Sequence, residues 1–142
     1  MPFYQCLTTP GTLDADQRRT FAEQITKHHT EVTGAPADFV HVAFRETGPD
    51  ELFTAGRPST TTVIHGLQRA GRPDHMRTEM INRLAASYYE LTGKDPMEVL
   101  ILVNDIPASW AMEGGMILPE PTPDAEAAWF DTLRERGHQP TA

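Results

Sequence analysis

Two arginines, a lone glutamate, a helix histidine and a proline at position 2 have the types and settings for chemistry. Arg69 and Arg72 flank Ala70-Gly71 just after a run rich in β-formers. From Arg57 to Arg77 there are four arginines against one acid, Asp74, a local +3 in a chain of net charge −8. Loops positioned by a scaffold often carry binding groups, and a planar guanidinium grips a carboxylate through two hydrogen bonds. Two ordinary solvated arginines are the plain alternative. Glu113 is the only charged residue in the stretch Ala111-Met112-Glu113-Gly114-Gly115, where it lies either at a turn surface or facing a pocket. His29 falls on the inward stripe of a helical segment, and a core histidine with one satisfied nitrogen is its plain reading. Its neighbour His28 points ~100° away around a helix, so the pair shares no metal. His41, His65, His75 and His138 have no ligand spacing, and no metal site is expected. Pro2 becomes an N-terminal secondary amine once Met1 is removed. Such amines titrate near 8. A nearby guanidinium or an apolar pocket lowers that value and fits the amine for acid or base work near neutrality.

The elements that must position these groups repeat. Residues 2–8 read as a strand, with a helix start at Thr12-Leu13-Asp14, Thr12 being a fair N-cap. Phe21, Ala22, Ile25 and Val32 keep a helical period, and Gly34 followed by Pro36 ends that helix. Residues 39–44 form a second strand. Residues 45–60 read as a loop, interrupted by a short extended piece at 52–54. A strand at 61–67, a helix at 74–92 and a strand at 99–103 follow. The helix carries Met76, Met80, Leu84, Tyr88 and Leu91 on one stripe, and Gly93 closes it. At an offset of 59, Glu31, Thr33 and Gly34 land on Glu90, Thr92 and Gly93, and His29 lands on Tyr88. The chain therefore reads as an internal duplication of two βαβ units. The expected fold is an α/β arrangement of the α+β sandwich type, a four-stranded sheet with two helices on one face. Residues 2–60 and 61–118 are the two units of one domain spanning 1–142. Residues 119–142 are a C-terminal extension with a short helix at 124–136, anchored by Trp129, Phe130 and Leu133. The uncovered sheet face calls for self-association.

Composition removes several classes. A net charge of −8 argues against a nonspecific nucleic-acid partner, which needs a basic face to displace counterions. The longest aliphatic run, Val99 to Val103, is far short of the ~20 residues of a spanning helix. No membrane partner is expected, and the start shows no secretory pattern. Cys6 is the single cysteine, which excludes disulfides within the chain and cysteine-rich zinc sites. A cytoplasmic location is the default expectation.

Several motifs in order carry a resemblance. Behind Pro2 come Ile64-His65-Gly66-Leu67-Gln68-Arg69-Ala70-Gly71-Arg72, then Ile106-Pro107-Ala108, Leu118-Pro119-Glu120-Pro121 and Trp129-Phe130-Asp131. With the duplicated layout, the chain resembles the tautomerase superfamily, in particular the group around cis-3-chloroacrylic acid dehalogenase. The resemblance implies a homotrimer with no metal or organic cofactor and a site around the N-terminal proline, acting on a small carboxylate. It implies catalytic roles for Pro2, His29 and Glu113, with Glu113 activating water, and substrate binding by Arg69 and Arg72. It places a tyrosine of that group at Leu102, beside Val103. The activity implied is tautomerisation or hydration of a small unsaturated or enolisable carboxylate. Decarboxylation of a β-keto acid and a non-catalytic trimeric organic-acid-binding protein are the alternatives.

Overall fold

The structure, a computed structural model, describes residues 1–140. A four-stranded sheet has the order β2-β1-β5-β6, from β1 (Phe3–Thr8), β2 (His41–Glu46), β5 (Thr62–Arg69) and β6 (Val99–Ile106). β1 and β2 are parallel, as are β5 and β6, and β1 meets β5 antiparallel at the centre. This is the product of two βαβ units joined about a pseudo-twofold axis. α1 (Ala15–Thr33) and α2 (Asp74–Thr92) are the two crossovers. They start and end 59 residues apart and both stop at a left-handed glycine, Gly34 and Gly93. His28 Nε2 and Ser87 Oγ, equivalent in the repeat, meet at 2.6 Å where the helices pack together.

Strand alternation sorts the sheet into two faces. Tyr4, Cys6, Thr62 and Ile64 are buried beneath Phe21, Ile25, Leu84 and Tyr88 of the helices. The opposite face carries Phe3, Leu100 and Leu102, which are 39–46% exposed in the isolated chain.

Several boundaries differ from the sequence expectation, each for a local reason. Asp14, not Thr12, caps α1. Its side chain accepts from Gln17 N at 2.8 Å, and Gln17 accepts back from Asp14 N, a reciprocal box that uses two helix-end donors. Thr12 instead shares a 2.8 Å hydrogen bond with Thr9. Residues 37–39 wind into a short 3-10 turn behind Pro36, so β2 begins at His41 rather than Phe39. β6 runs on to Ile106 because β5 keeps pairing with it as far as Arg69.

The region 45–60 contains a hairpin, β3 (Phe53–Thr54) with β4 (Arg57–Pro58). A second hairpin, β7 (Met112–Glu113) with β8 (Met116–Ile117), lies 59 residues later. The repeat therefore extends through both hairpins, and Thr54 in the first half stands where Glu113 stands in the second. α3 (Pro123–Glu135) closes the described chain and buries Leu133.

Candidate active site

Pro2 is fully buried at the start of β1, and its carbonyl accepts a hydrogen bond from His41 N at 3.1 Å. Met1 is one wall of a pocket whose other walls include Arg69, Glu113, Glu126, Trp129 and Phe130. Its α-ammonium pairs with Glu113 Oε2. Burial lowers the pKa of this amine from 8.0, with Glu113 opposing the shift and the charge of Arg69 adding to it.

Glu113 is delivered by the β7–β8 hairpin. The turn at Gly114 and Gly115 has φ +61 and +73, a left-handed pair that glycine adopts without strain. A Cβ at Gly114 would also lie 2.8 Å from Leu133 Cδ2, so this glycine lets α3 seat against the hairpin. The second carboxylate oxygen, Oε1, accepts from His41 Nε2. Glu113 faces the pocket, which settles the choice between turn surface and pocket left open by the sequence.

The two arginines differ. Arg69 is the last residue of β5, not a loop residue, and only 7% of it is exposed. Its guanidinium donates to the Pro119 carbonyl at 2.6 Å and pairs with Glu126 of α3. Arg72 does lie on the loop between β5 and α2 and is half-buried. Burial, followed by the charge of Arg69, lowers its pKa from the usual value. Among the described residues it has no hydrogen bond or ion pair.

His29 is 1% exposed, and its Nδ1 is 2.8 Å from the Tyr4 hydroxyl. Burial, then Arg72, the N-terminal amine and Arg69, hold its pKa down to about 3. At neutral pH the imidazole is therefore uncharged, a polar group that orients rather than a cationic acid. These charges act on His29 because they converge on one end of the sheet.

Burial likewise raises the pKa of the Tyr4 phenol, which stays protonated. Tyr4 was not expected at the site. The signal was available, since Tyr4 follows Pro2 by two residues on a strand and must share its face. Its ring lies against Gly66 of β5, where a Cβ would stand 2.5 Å from Tyr4 Cε1. Only glycine lets the ring take this position and carry the hydroxyl to His29. Leu102 projects from the open face of the sheet, 42% exposed. Trp129 and Phe130 pack edge-on at 5.4 Å and meet Phe39, forming an aromatic wall from α3. Trp129 Nε1 donates to the Ile117 carbonyl at 3.1 Å, tying that wall to the hairpin that carries Glu113.

The family described as "Putative oxalocrotonate tautomerase enzyme" matches residues 1–134, and the chain belongs to this tautomerase family. Within the superfamily it is similar to the cis-3-chloroacrylic acid dehalogenase group. The solved structure of N1, a member of that group, is 29% identical over 94% of each chain with a TM-score of 0.86. The native structure of Ps01740 is 48% identical, covering 78% of this chain and 99% of that one, with a TM-score of 0.76. A fused 4-OT trimer is 19% identical over 81% of this chain and 94% of its own, with a TM-score of 0.74, a likeness of fold. Among curated proteins none matches the chain. Enzymes are typical of this superfamily, and the mixed α+β sandwich expected from the duplication is its fold.

Proposed function

We propose that the chain is a cofactor-free acid–base enzyme acting on a small unsaturated or enolisable carboxylate, with Pro2 as its catalytic amine after Met1 is removed. The observation that carries this reading is the position of Met1. It lines a pocket together with Arg69 and Glu113, its ammonium pairs with Glu113, and it directly precedes Pro2 in the chain. Removing it exposes a secondary amine to that pocket in an environment that lowers amine basicity.

In the tautomerase mode, neutral Pro2 takes a proton from one atom of the substrate and returns it to another. In the hydratase mode, the Pro2 ammonium gives its proton to the α-carbon while water adds to the β-carbon. The water proton goes to the Glu113 carboxylate, and the C=C π pair forms the new C–H bond. No oxidant or reductant is needed. Neutral His29, held by Tyr4, orients the water. Arg72, with Arg69, holds the substrate carboxylate and draws charge towards it. The presence of Glu113 beside the amine favours hydration. β-Keto acid decarboxylation and simple organic-acid binding are the competing outcomes of the same pocket.

The test is a panel of enol pyruvates, 3-haloacrylates, acetylenic acids and β-keto acids followed by ultraviolet absorbance. Turnover of an enol pyruvate or acetylenic acid that disappears in Pro2→Ala supports the reading. Binding of the panel without turnover, in a protein shown by mass to start at Pro2, contradicts it.

Dehalogenation of cis-3-chloroacrylate is expected to be weaker than the best tautomerase or hydratase reaction. Leu102 offers no phenol, and the Tyr4 hydroxyl is committed to His29. One missing charge-linked hydrogen bond costs about 1.5–3 kcal/mol, roughly 10- to 150-fold in rate. Wild-type turnover of cis-3-chloroacrylate as the best substrate would contradict the assignment.

Association as a homotrimer is part of the same proposal. Phe3, Leu100 and Leu102 lie exposed on the open sheet face, and Trp110, Met112 and Ile117 lie exposed around the β7–β8 hairpin. Burying one such side chain is worth about 1.5–3 kcal/mol. Sedimentation at micromolar concentration is expected to give three times the mass of one chain. A monomer at that concentration would contradict the proposal.

A further inference from the structure

We propose that His41 is a positioning residue for the reaction, fixing the Glu113 carboxylate so that its other oxygen faces the N-terminal amine. This rests on the reading of Glu113 as the group that directs water.

His41 is bonded to both parts of the site at once. Its backbone N–H donates to the Pro2 carbonyl at 3.1 Å, and its register partner in β1 is Phe3. Its side-chain Nε2 donates to Glu113 Oε1. One residue therefore ties the strand that carries the amine to the hairpin that carries the carboxylate, although Pro2 and Glu113 lie 111 residues apart.

Glu113 has little else to hold it. Its hairpin pairs at only two register positions, Met112 with Ile117 and Glu113 with Met116. Among the described residues the side chain has two partners, the Met1 ammonium on Oε2 and His41 on Oε1. Loss of Met1 removes the first and leaves His41 as the remaining anchor. The freed Oε2 is then the oxygen next to the Pro2 amine, free to accept from a water molecule. A glutamate without such an anchor spreads over several rotamers and loses its aim. The imidazole is half exposed while the carboxylate is only 19% exposed, so His41 holds Glu113 from the solvent side and leaves the inner side open. It touches no reacting atom.

The test uses the processed protein and hydration of whichever acid of the panel above wild type hydrates fastest, followed by ultraviolet absorbance. Wild type is compared with Glu113→Gln, His41→Phe, His41→Gln and the double variant Glu113→Gln/His41→Phe. Glu113→Gln and His41→Phe are each expected to lower kcat at least about tenfold. KM is expected to move by less than about threefold, since the arginines that hold the carboxylate are untouched. His41→Gln keeps an N–H donor for Oε1 and is expected to recover most of the loss. The double variant is expected to be no slower than Glu113→Gln alone, because His41 acts through that side chain. Wild-type kcat in His41→Phe beside a slow Glu113→Gln overturns the role of His41 and leaves the Glu113 reading standing. Unchanged kcat in Glu113→Gln, or no hydration by wild type, overturns the Glu113 reading and the inference with it.

Discussion

Arg72→Ala is expected to lower kcat/KM by about 2–4 kcal/mol of transition-state binding, roughly 30- to 900-fold, and to leave the fold intact. Arg72 is half-buried on a loop, and among the described residues nothing pairs with it, so its removal strands no internal partner. Arg69→Ala is expected to behave differently. Its guanidinium satisfies the Pro119 carbonyl and Glu126, and its loss leaves both without that donor. An unsatisfied buried group costs about 1–3 kcal/mol, so this variant is expected to lose stability as well as activity. The sequence treats the two arginines as equivalent loop residues that the fold can spare. The structure corrects this for Arg69, which ends a strand and anchors α3. Steady-state kinetics and urea unfolding on both variants check the distinction. Equal stability losses in the two would contradict it.

The pH dependence of stability is expected to carry a large contribution from His29. Its pKa is 6.5 in an unstructured setting and about 3 in the fold. Between those values the unfolded chain binds the proton and the folded chain does not, so stability rises with pH through that window. The contribution is fully present above pH 6.5 and is lost as pH falls towards 3. The limiting slope is about 1.4 kcal/mol per pH unit, and the full difference is of order 5 kcal/mol. His29→Asn, which retains a polar group near the Tyr4 hydroxyl, is expected to remove this slope between pH 4 and 6. Unfolding free energies of both proteins at several pH values across that range provide the check. Parallel curves would show that His29 is not buried in its neutral form.

Much of the architecture was legible because the duplication is written in helix-period residues and glycine stops. Gly34 and Gly93 mark equivalent helix ends, and His29 and Tyr88 occupy equivalent buried places. The short hairpins were harder to read. Two-residue strands have no periodicity, and only the Ala55-Gly56 and Gly114-Gly115 turns mark them, with four positive φ values. The site was legible where one residue type carries its own chemistry, as with Arg72 and Glu113. It was obscured where a role comes from tertiary partners. Glu126 reads as an ordinary acid in a first helical turn until it meets Arg69. His41 looks like an exposed strand residue until the hairpin brings Glu113 to it. The ionisation of His29 depends on burial and on cations from two other segments, the N-terminus and residues 69–72, neither of which lies near it in sequence.

The central claim is that Pro2 presents a titratable amine of lowered basicity to the pocket. Its most direct test is a ¹⁵N NMR titration of protein labelled at proline, with the N-terminus confirmed by mass. The expected result is a chain starting at Pro2 whose amine titrates below the ordinary value of about 8 for an α-amino group. Retention of Met1 would contradict the claim, and a Pro2 amine that titrates at or above that value would contradict its lowered basicity and the tautomerase mode, leaving Pro2 to act only as the ammonium of the hydratase mode.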